Sequence, residues 1–181
     1  MMYKNNRILR KARQIMENNI FIRKLTPDDK PQLDKLIQKI EACLPHKDWW
    51  LPIPQEAYDH FFDEKWTLFC GAFDNDKLIG ASALFFNEFE YGKTASYIHL
   101  TTQKIAEIGR CMVSPDYRGH QLMVKMNEFL FTINPKKVDC FVATAHPDNM
   151  PSIKSLEKSG FIKQATFEKF DMKRNIYLKN A

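Results

Sequence analysis

A chain of 181 residues, 44% apolar and 27% charged, has the length and mix of one domain with its own hydrophobic core, and fourteen Phe, six Tyr and three Trp exclude a disordered composition. The net charge of +5 is concentrated at the start, where Lys4, Arg7, Arg10, Lys11 and Arg13 face Glu17 alone, so the remainder is near neutral and does not support a nucleic-acid-binding face. No apolar run approaches the roughly 18 residues of a membrane span, and the N-terminus lacks the apolar stretch of a signal peptide.

Residues 1–19 are therefore read as a basic arm and 20–181 as a single domain. Residues 20–25, IFIRKL, read as a first strand. In the following TPDDKPQLDKLIQKI, Leu33, Leu36, Ile37 and Ile40 recur at helical spacing, and Pro27 and Asp28 suit a helix start. Pro45, Pro52 and Pro54 then break the chain. A short helix is expected over 55–64, with Tyr58, Phe61 and Phe62 turned inward. Two strand-like runs, 66–74 and 77–86, meet at a hairpin-like joint, NDK. Residues 87–104 read either as a long loop or as an extended hairpin using 94–100.

The stretch KIAEIGRCMV, 104–113, reads as a strand; the turn SPDYRG and a helix over 120–131 follow. VDCFVATA, 138–145, has the composition of a sheet interior, and 149–160 forms a helix closed by Gly160. Segments 161–170 and 172–178 are extended. Helical crossovers between late strands favour parallel pairing there, while the first strands suit a meander. The expectation is a three-layer α/β fold: a mixed, mostly antiparallel central sheet with a parallel late-strand pair and helices on both faces. Pairing of the late strands across a homodimer stays open. Cys43, Cys70, Cys111 and Cys140 show no C-x-x-C spacing, and the five histidines show no ligand spacing, so free thiols, a reducing cytoplasmic setting and no metal site are expected.

The segment VSPDYRGHQL, 113–122, has the strongest chemical content. A strand ends at Val113, Pro115 stops regular pairing, Gly119 allows a tight path, and a helix begins. The first turn of a helix has N–H groups without intrahelical partners and the positive end of the dipole; Arg118 adds a fixed charge. Such a turn suits a phosphate or diphosphate, though an ordinary strand–turn–helix with an exposed arginine fits the same residues. Neither a P-loop nor a dinucleotide fingerprint is present.

Val113, Pro115, Tyr117, Arg118 and Gly119 also stand in register with the acetyl-CoA signature of the GNAT family, the GCN5-related N-acetyltransferases, which the segment resembles. Gln121 and Met123 stand where that signature has a glycine and a small residue. A second segment, HPDNMPSIKSLEKSGF, is similar to the family's later motif at Asn149, Ser152, Lys158, Gly160 and Phe161, with Leu156 where a tyrosine acid is usual. The resemblance implies an N-acyltransferase that uses acetyl-CoA or another acyl-CoA and a small-molecule or peptide amine. It places the main chain of Met112 and Val113 against the pantetheine and thioester. The turn and first helical residues Arg118, Gly119, His120, Gln121, Leu122 and Met123 fall against the diphosphate. Asn149 or Ser152 faces the cofactor, unless both only cap their helix. The departures also admit a second reading, an acyl-CoA-binding module with weak or no turnover.

Transfer to an amine needs a proton acceptor, because a free alkyl amine is mostly protonated at neutral pH. Glu107, an acid within an apolar strand, is the candidate base, unless it pairs with Arg110 or faces solvent. Strand alternation, before any bulge is allowed for, puts Glu107, Gly109, Cys111 and Val113 on one face. Cys111, Tyr117 and Tyr97 are candidate proton donors to the thiolate, alongside water or the ammonium product. The acceptor pocket is expected from the first two helices and 87–104. Trp49, Trp50, Tyr58, Phe61 and Phe62 cluster there, and Glu88 and Glu90 either meet a cationic acceptor or form the wet face of a hairpin.

Overall fold

The structure, a computed structural model, describes residues 19–102 and 104–181, so the basic arm lies outside the described residues except for Asn19. Strands β1 (Ile20–Lys24), β2 (Thr67–Asp74), β3 (Lys77–Phe85), β4 (Ile105–Val113), β5 (Cys140–Ala145), β6 (Ile162–Lys169) and β7 (Met172–Asn180) form one sheet. Its order is β1-β2-β3-β4-β5-β7-β6, antiparallel throughout except for the β4–β5 pair. The helices are α1 (Lys30–Ala42), α2 (Gln55–Asp59), α3 (Glu88–Tyr97), α4 (Leu122–Ile133) and α5 (Met150–Lys158). The crossover through α4 makes β5 parallel to β4, as the order of elements led us to expect. Among the described residues no helix is long and apolar enough to cross a membrane.

Alternation along the strands divides the core into two layers. Leu68, Cys70 and Ala72 of β2 join Leu122, Met126 and Leu130 of α4 and Ile153 and Leu156 of α5 on one face. Phe69 and Phe73 of β2 turn to the other face, against Leu33, Leu36, Ile37 and Ile40 of α1. Phe69 packs its ring 4.9 Å from that of Phe61 and 6.2 Å from that of Phe85. Burying a side chain of this kind contributes about 1.5–3 kcal/mol. The entrance to α1 is fixed by Asp29, whose carboxylate accepts from the Thr26 N–H at 2.8 Å and from both terminal nitrogens of Arg23 at 2.7 Å. α2 ends at Asp59, earlier than the expected 64, although Phe61 is buried as anticipated.

Residues 87–104 contain α3, neither a long loop nor an extended hairpin. The Asn87 side chain accepts from the Glu90 N–H at 3.1 Å and caps this helix. Its buried positions are Glu90, Tyr91, Thr94 and Ala95, a helical spacing. Two of the four are polar, and Gly92 and Thr94 are weak helix formers, so apolar periodicity is absent from the sequence.

Strand β4 has two features that build the site. Ala81 pairs with Met112 and Ala83 with Gly109, so β4 has one residue more than β3 over this stretch. This bulge at Arg110, whose φ is +50°, shifts the side-chain phase. Gly109 therefore faces Phe85 on the α1 side with Met112, while Cys111 and Val113 turn to the α4 side. The single-face set Glu107, Gly109, Cys111 and Val113 is thus corrected to Glu107, Gly109 and Met112. Second, β4 and β5 pair only from Ile105↔Cys140 to Ile108↔Ala143. Beyond that they part, with β4 kept on β3 and β5 on β7.

Candidate active site

The parting strands open into a cleft of about 470 Å³. One wall is β4 from Glu107 to Val113; the facing wall is Ala143, Thr144 and Ala145 of β5 with Asn149, Ser152, Ser155 and Leu156 around α5. The outer mouth is the turn after β4. There Gly119 has φ +86° and Gln121 φ +58°, a left-handed pair that aims α4 at the cleft. A Cβ placed on Gly119 would meet nothing within 4 Å, so the approach over this turn is open. Lys125 N–H bonds Gln121 O at 3.1 Å, and no side chain caps α4. The N–H groups ahead of Lys125 in the first turn have no intrahelical acceptor, and Leu122 and Met123 of that turn line the cleft. Gln121 is exposed, and its left-handed backbone keeps the turn tight where the family signature uses glycine.

Of the cofactor residues expected from the sequence, Met112, Val113, Arg118, Gly119, Gln121, Leu122, Met123, Asn149 and Ser152 line the cleft; His120 does not. Ser114 N–H bonds Ile79 O of β3 at 2.8 Å, so alternation turns the main chain of Met112 toward β3 and that of Val113 toward the cleft. Asn149 caps α5, accepting from Ser152 N–H at 3.2 Å, so its cap and its place on the cleft coexist. Arg118 is exposed, its Nε 3.4 Å from Val113 O.

The inner end collects charge in a water-poor place. Glu107 is 5% exposed and lines the cleft. Burial pushes its carboxyl above the ordinary glutamate range; Lys169 partly opposes this and Glu90 adds to it. Lys169 Nζ lies 3.3 Å from both Glu107 oxygens and donates to Glu90 O at 2.7 Å. Glu107 thus pairs with Lys169, a partner 62 residues on, and not with Arg110. Arg110 donates to Leu51 O at 3.0 Å and faces Glu90 at 3.5 Å. Arg174 of β7 and Phe170 of the β6–β7 turn complete this end with Trp49 and Trp50. Tyr58, Phe61 and Phe62 belong to the core behind it, and Glu88 is exposed on α3 while Glu90 faces inward.

The candidate proton donors fare unequally. Cys111 lines the cleft, its Sγ 3.1 Å from Ser82 Oγ, but burial pushes its thiol up to about 11. The Tyr117 hydroxyl donates to Asp74 at 2.6 Å, a bond that raises it to about 12. Tyr97 lies off the cleft, donating to Thr166 O at 3.2 Å. Lys169, Arg174 and Phe170 were missed by the sequence reading. The faint signal was a lysine and an arginine at apolar-facing positions of a terminal hairpin.

The sequence pattern of the "Acetyltransferase (GNAT) family" matches residues 33–161, more than half of the chain. No curated protein matches. Among solved structures, aminoglycoside acetyltransferase AAC(6')-Ib in complex with coenzyme A is 19% identical, with TM-score 0.61, covering 89% of this chain and 94% of that one. The ribosomal-protein-S5-alanine acetyltransferase from Vibrio fischeri is 15% identical, with TM-score 0.64 and coverage of 90% and 93%. A ribosomal L7/L12 α-N-protein acetyltransferase in complex with coenzyme A is 15% identical, with TM-score 0.64 and coverage of 90% and 94%. At these identities the likeness is one of fold.

Proposed function

Because the chain belongs to the acetyltransferase (GNAT) family, we propose that it moves an acetyl or other short acyl group from coenzyme A to an amine that attacks the thioester directly, with Glu107 as general base. The observation that carries this reading is the continuity of one cleft. It runs from the turn and helix start at Arg118–Met123, through the gap between β4 and β5, to the buried carboxylate of Glu107. Two structural neighbours crystallised with coenzyme A support the same co-substrate.

In this reading the N–H groups of Gln121, Leu122 and Met123 at the start of α4 and the Arg118 guanidinium hold the diphosphate, and Gly119 leaves the approach over the turn open. The pantetheine extends between the parted strands, where Val113 offers main-chain groups that no neighbouring strand uses. Its N–H is oriented to stabilise the oxyanion formed as the amine adds to the thioester carbonyl. Glu107, directly or through one water, takes a proton from the acceptor's ammonium so that the neutral amine can attack, and its raised pKa makes it a stronger base than an exposed glutamate. Leu156 supplies no proton, and Cys111 and Tyr117 hold theirs too tightly. The departing thiolate, whose ordinary pKa is about 8.5, is protonated by water or the product ammonium. The free thiols of Cys43, Cys70, Cys111 and Cys140 support a reducing, cytoplasmic setting.

The test is turnover of acetyl-CoA with a panel of amines, followed as released thiol. The variant Glu107→Gln is expected to lower kcat by roughly 100-fold or more. Glu107 acts as its carboxylate, so the native rate falls as pH drops through a pKa above the ordinary glutamate value. The variant loses that acid limb, and its residual rate climbs toward higher pH with deprotonation of the amine. An unchanged pH–rate profile removes Glu107 as the base, and failure to bind acetyl-CoA removes the whole reading.

A further inference from the structure

The inner end of the cleft has one positive charge too many. Glu107 is matched by Lys169 at 3.3 Å and Glu90 by Arg110 at 3.5 Å. Arg174 is 2% exposed and lines the same space, yet among the described residues no carboxylate lies within ion-pair distance of it. Its guanidinium reaches the Met172 sulfur at 3.8 Å, and its Nε has no partner. Asp48 exerts an attraction on it from a distance but is half exposed and lies 3.1 Å from His146. Burial presses the Arg174 guanidinium down to about 10, the mark of a cation without its counter-ion. Two more buried donors on this wall, Arg110 Nε and Trp50 Nε1, also lack a hydrogen-bond acceptor, while Glu90 Oε1 has the Arg110 ion pair but no hydrogen bond.

Buried donors without acceptors are rare unless a ligand completes them. We propose that the acceptor is a zwitterionic amine, of the free amino acid kind, whose carboxylate is received by Arg174 with Arg110 and Trp50 while its amine faces Glu107 and Glu90. The inference rests on the acyltransferase reading and narrows its acceptor. A polycationic acceptor meets the surplus cation, because both buried carboxylates already have partners. A carboxylate restores the balance and forms charge-assisted bonds in a place of low dielectric.

The experiment compares free amino acids with their own primary amides, and with spermidine and an aminoglycoside, in the native protein with acetyl-CoA. At least one free acid should be acetylated with kcat/KM roughly 10–100-fold above its amide, the range for losing a hydrogen bond to a charged group. Arg174→Gln should erase that preference, raising KM for the acid while acetyl-CoA affinity by calorimetry stays the same. Equal use of acid and amide overturns the proposal, as does preference for spermidine or the aminoglycoside. Acetyl-CoA binding without turnover of any carboxylate-bearing amine overturns the acceptor proposal and leaves the co-substrate assignment standing; no acetyl-CoA binding overturns both. The acid–amide comparison needs no variant, so it decides the matter even if Arg174→Gln does not fold.

Discussion

The two ends of the cleft are built in opposite ways. The outer end is local: a strand terminus, a left-handed turn and a helix start within residues 113–123 present main-chain donors and an exposed arginine. The inner end is assembled from α3, β4, β6 and β7, and its working groups are side-chain charges buried in pairs across tens of residues. Main-chain donors at a helix start are fixed by the backbone and tolerate change in the side chains around them. Paired side-chain charges depend on each member, so the inner end is where single substitutions do most damage.

That contrast is sharpest at Lys169. Lys169→Met is expected to leave the Glu107 carboxylate buried without its partner and to cost about 3–5 kcal/mol of stability by chemical denaturation. The acid limb of the pH–rate profile should move further up, because the ammonium holds the Glu107 carboxyl down. A loss below about 1 kcal/mol would mean the pair behaves like a surface ion pair, and the comparison would fail. At the outer end, Arg118→Ala should leave stability unchanged and weaken acetyl-CoA roughly 10–100-fold, read by calorimetry. Unaltered affinity would mean that the main-chain donors alone hold the phosphates. The smallest effect is expected from Gln121→Gly. Glycine adopts φ +58° without strain, so the variant should gain about 0.5–1 kcal/mol in stability with acetyl-CoA affinity kept or improved. A destabilised variant would show that the Gln121 side chain supports the turn.

The same contrast explains what was legible in the sequence. α1 announced itself through Leu33, Leu36, Ile37 and Ile40, because its burial follows the helical period, and β2 through its apolar run, because it is buried on both faces. The phosphate turn was readable because its chemistry is written in consecutive residues. α3 was hidden by Glu90 and Thr94 on its buried face. The β4 bulge was hidden because an extra residue at Arg110 leaves no mark on composition, yet it decides which face Cys111 and Val113 occupy. Glu107 was found from its oddity in an apolar strand; Lys169 and Arg174 were not, because a lysine or arginine in a charged hairpin looks solvated until tertiary contacts close over it.

Among the described residues, β1–β4 and β5–β7 are joined through the main chain by four β4–β5 residue pairs and the bond from Asp139 N–H to Lys104 O at 2.8 Å. Each half is fully zipped within itself, so the sheet resembles two pages bound along a short spine. Spreading the pages breaks no backbone bond in either half; the resistance comes from the side chains of α4 and α5 packed across the back and from Lys169, which ties β6 to Glu107 of β4 and to Glu90 O. The width of the slot is therefore set by side chains, apolar ones on the back and the Glu107–Lys169 pair at the inner end, and not by peptide groups. Trimming Ile153 or Leu156 is the place to start for admitting a bulkier acyl chain.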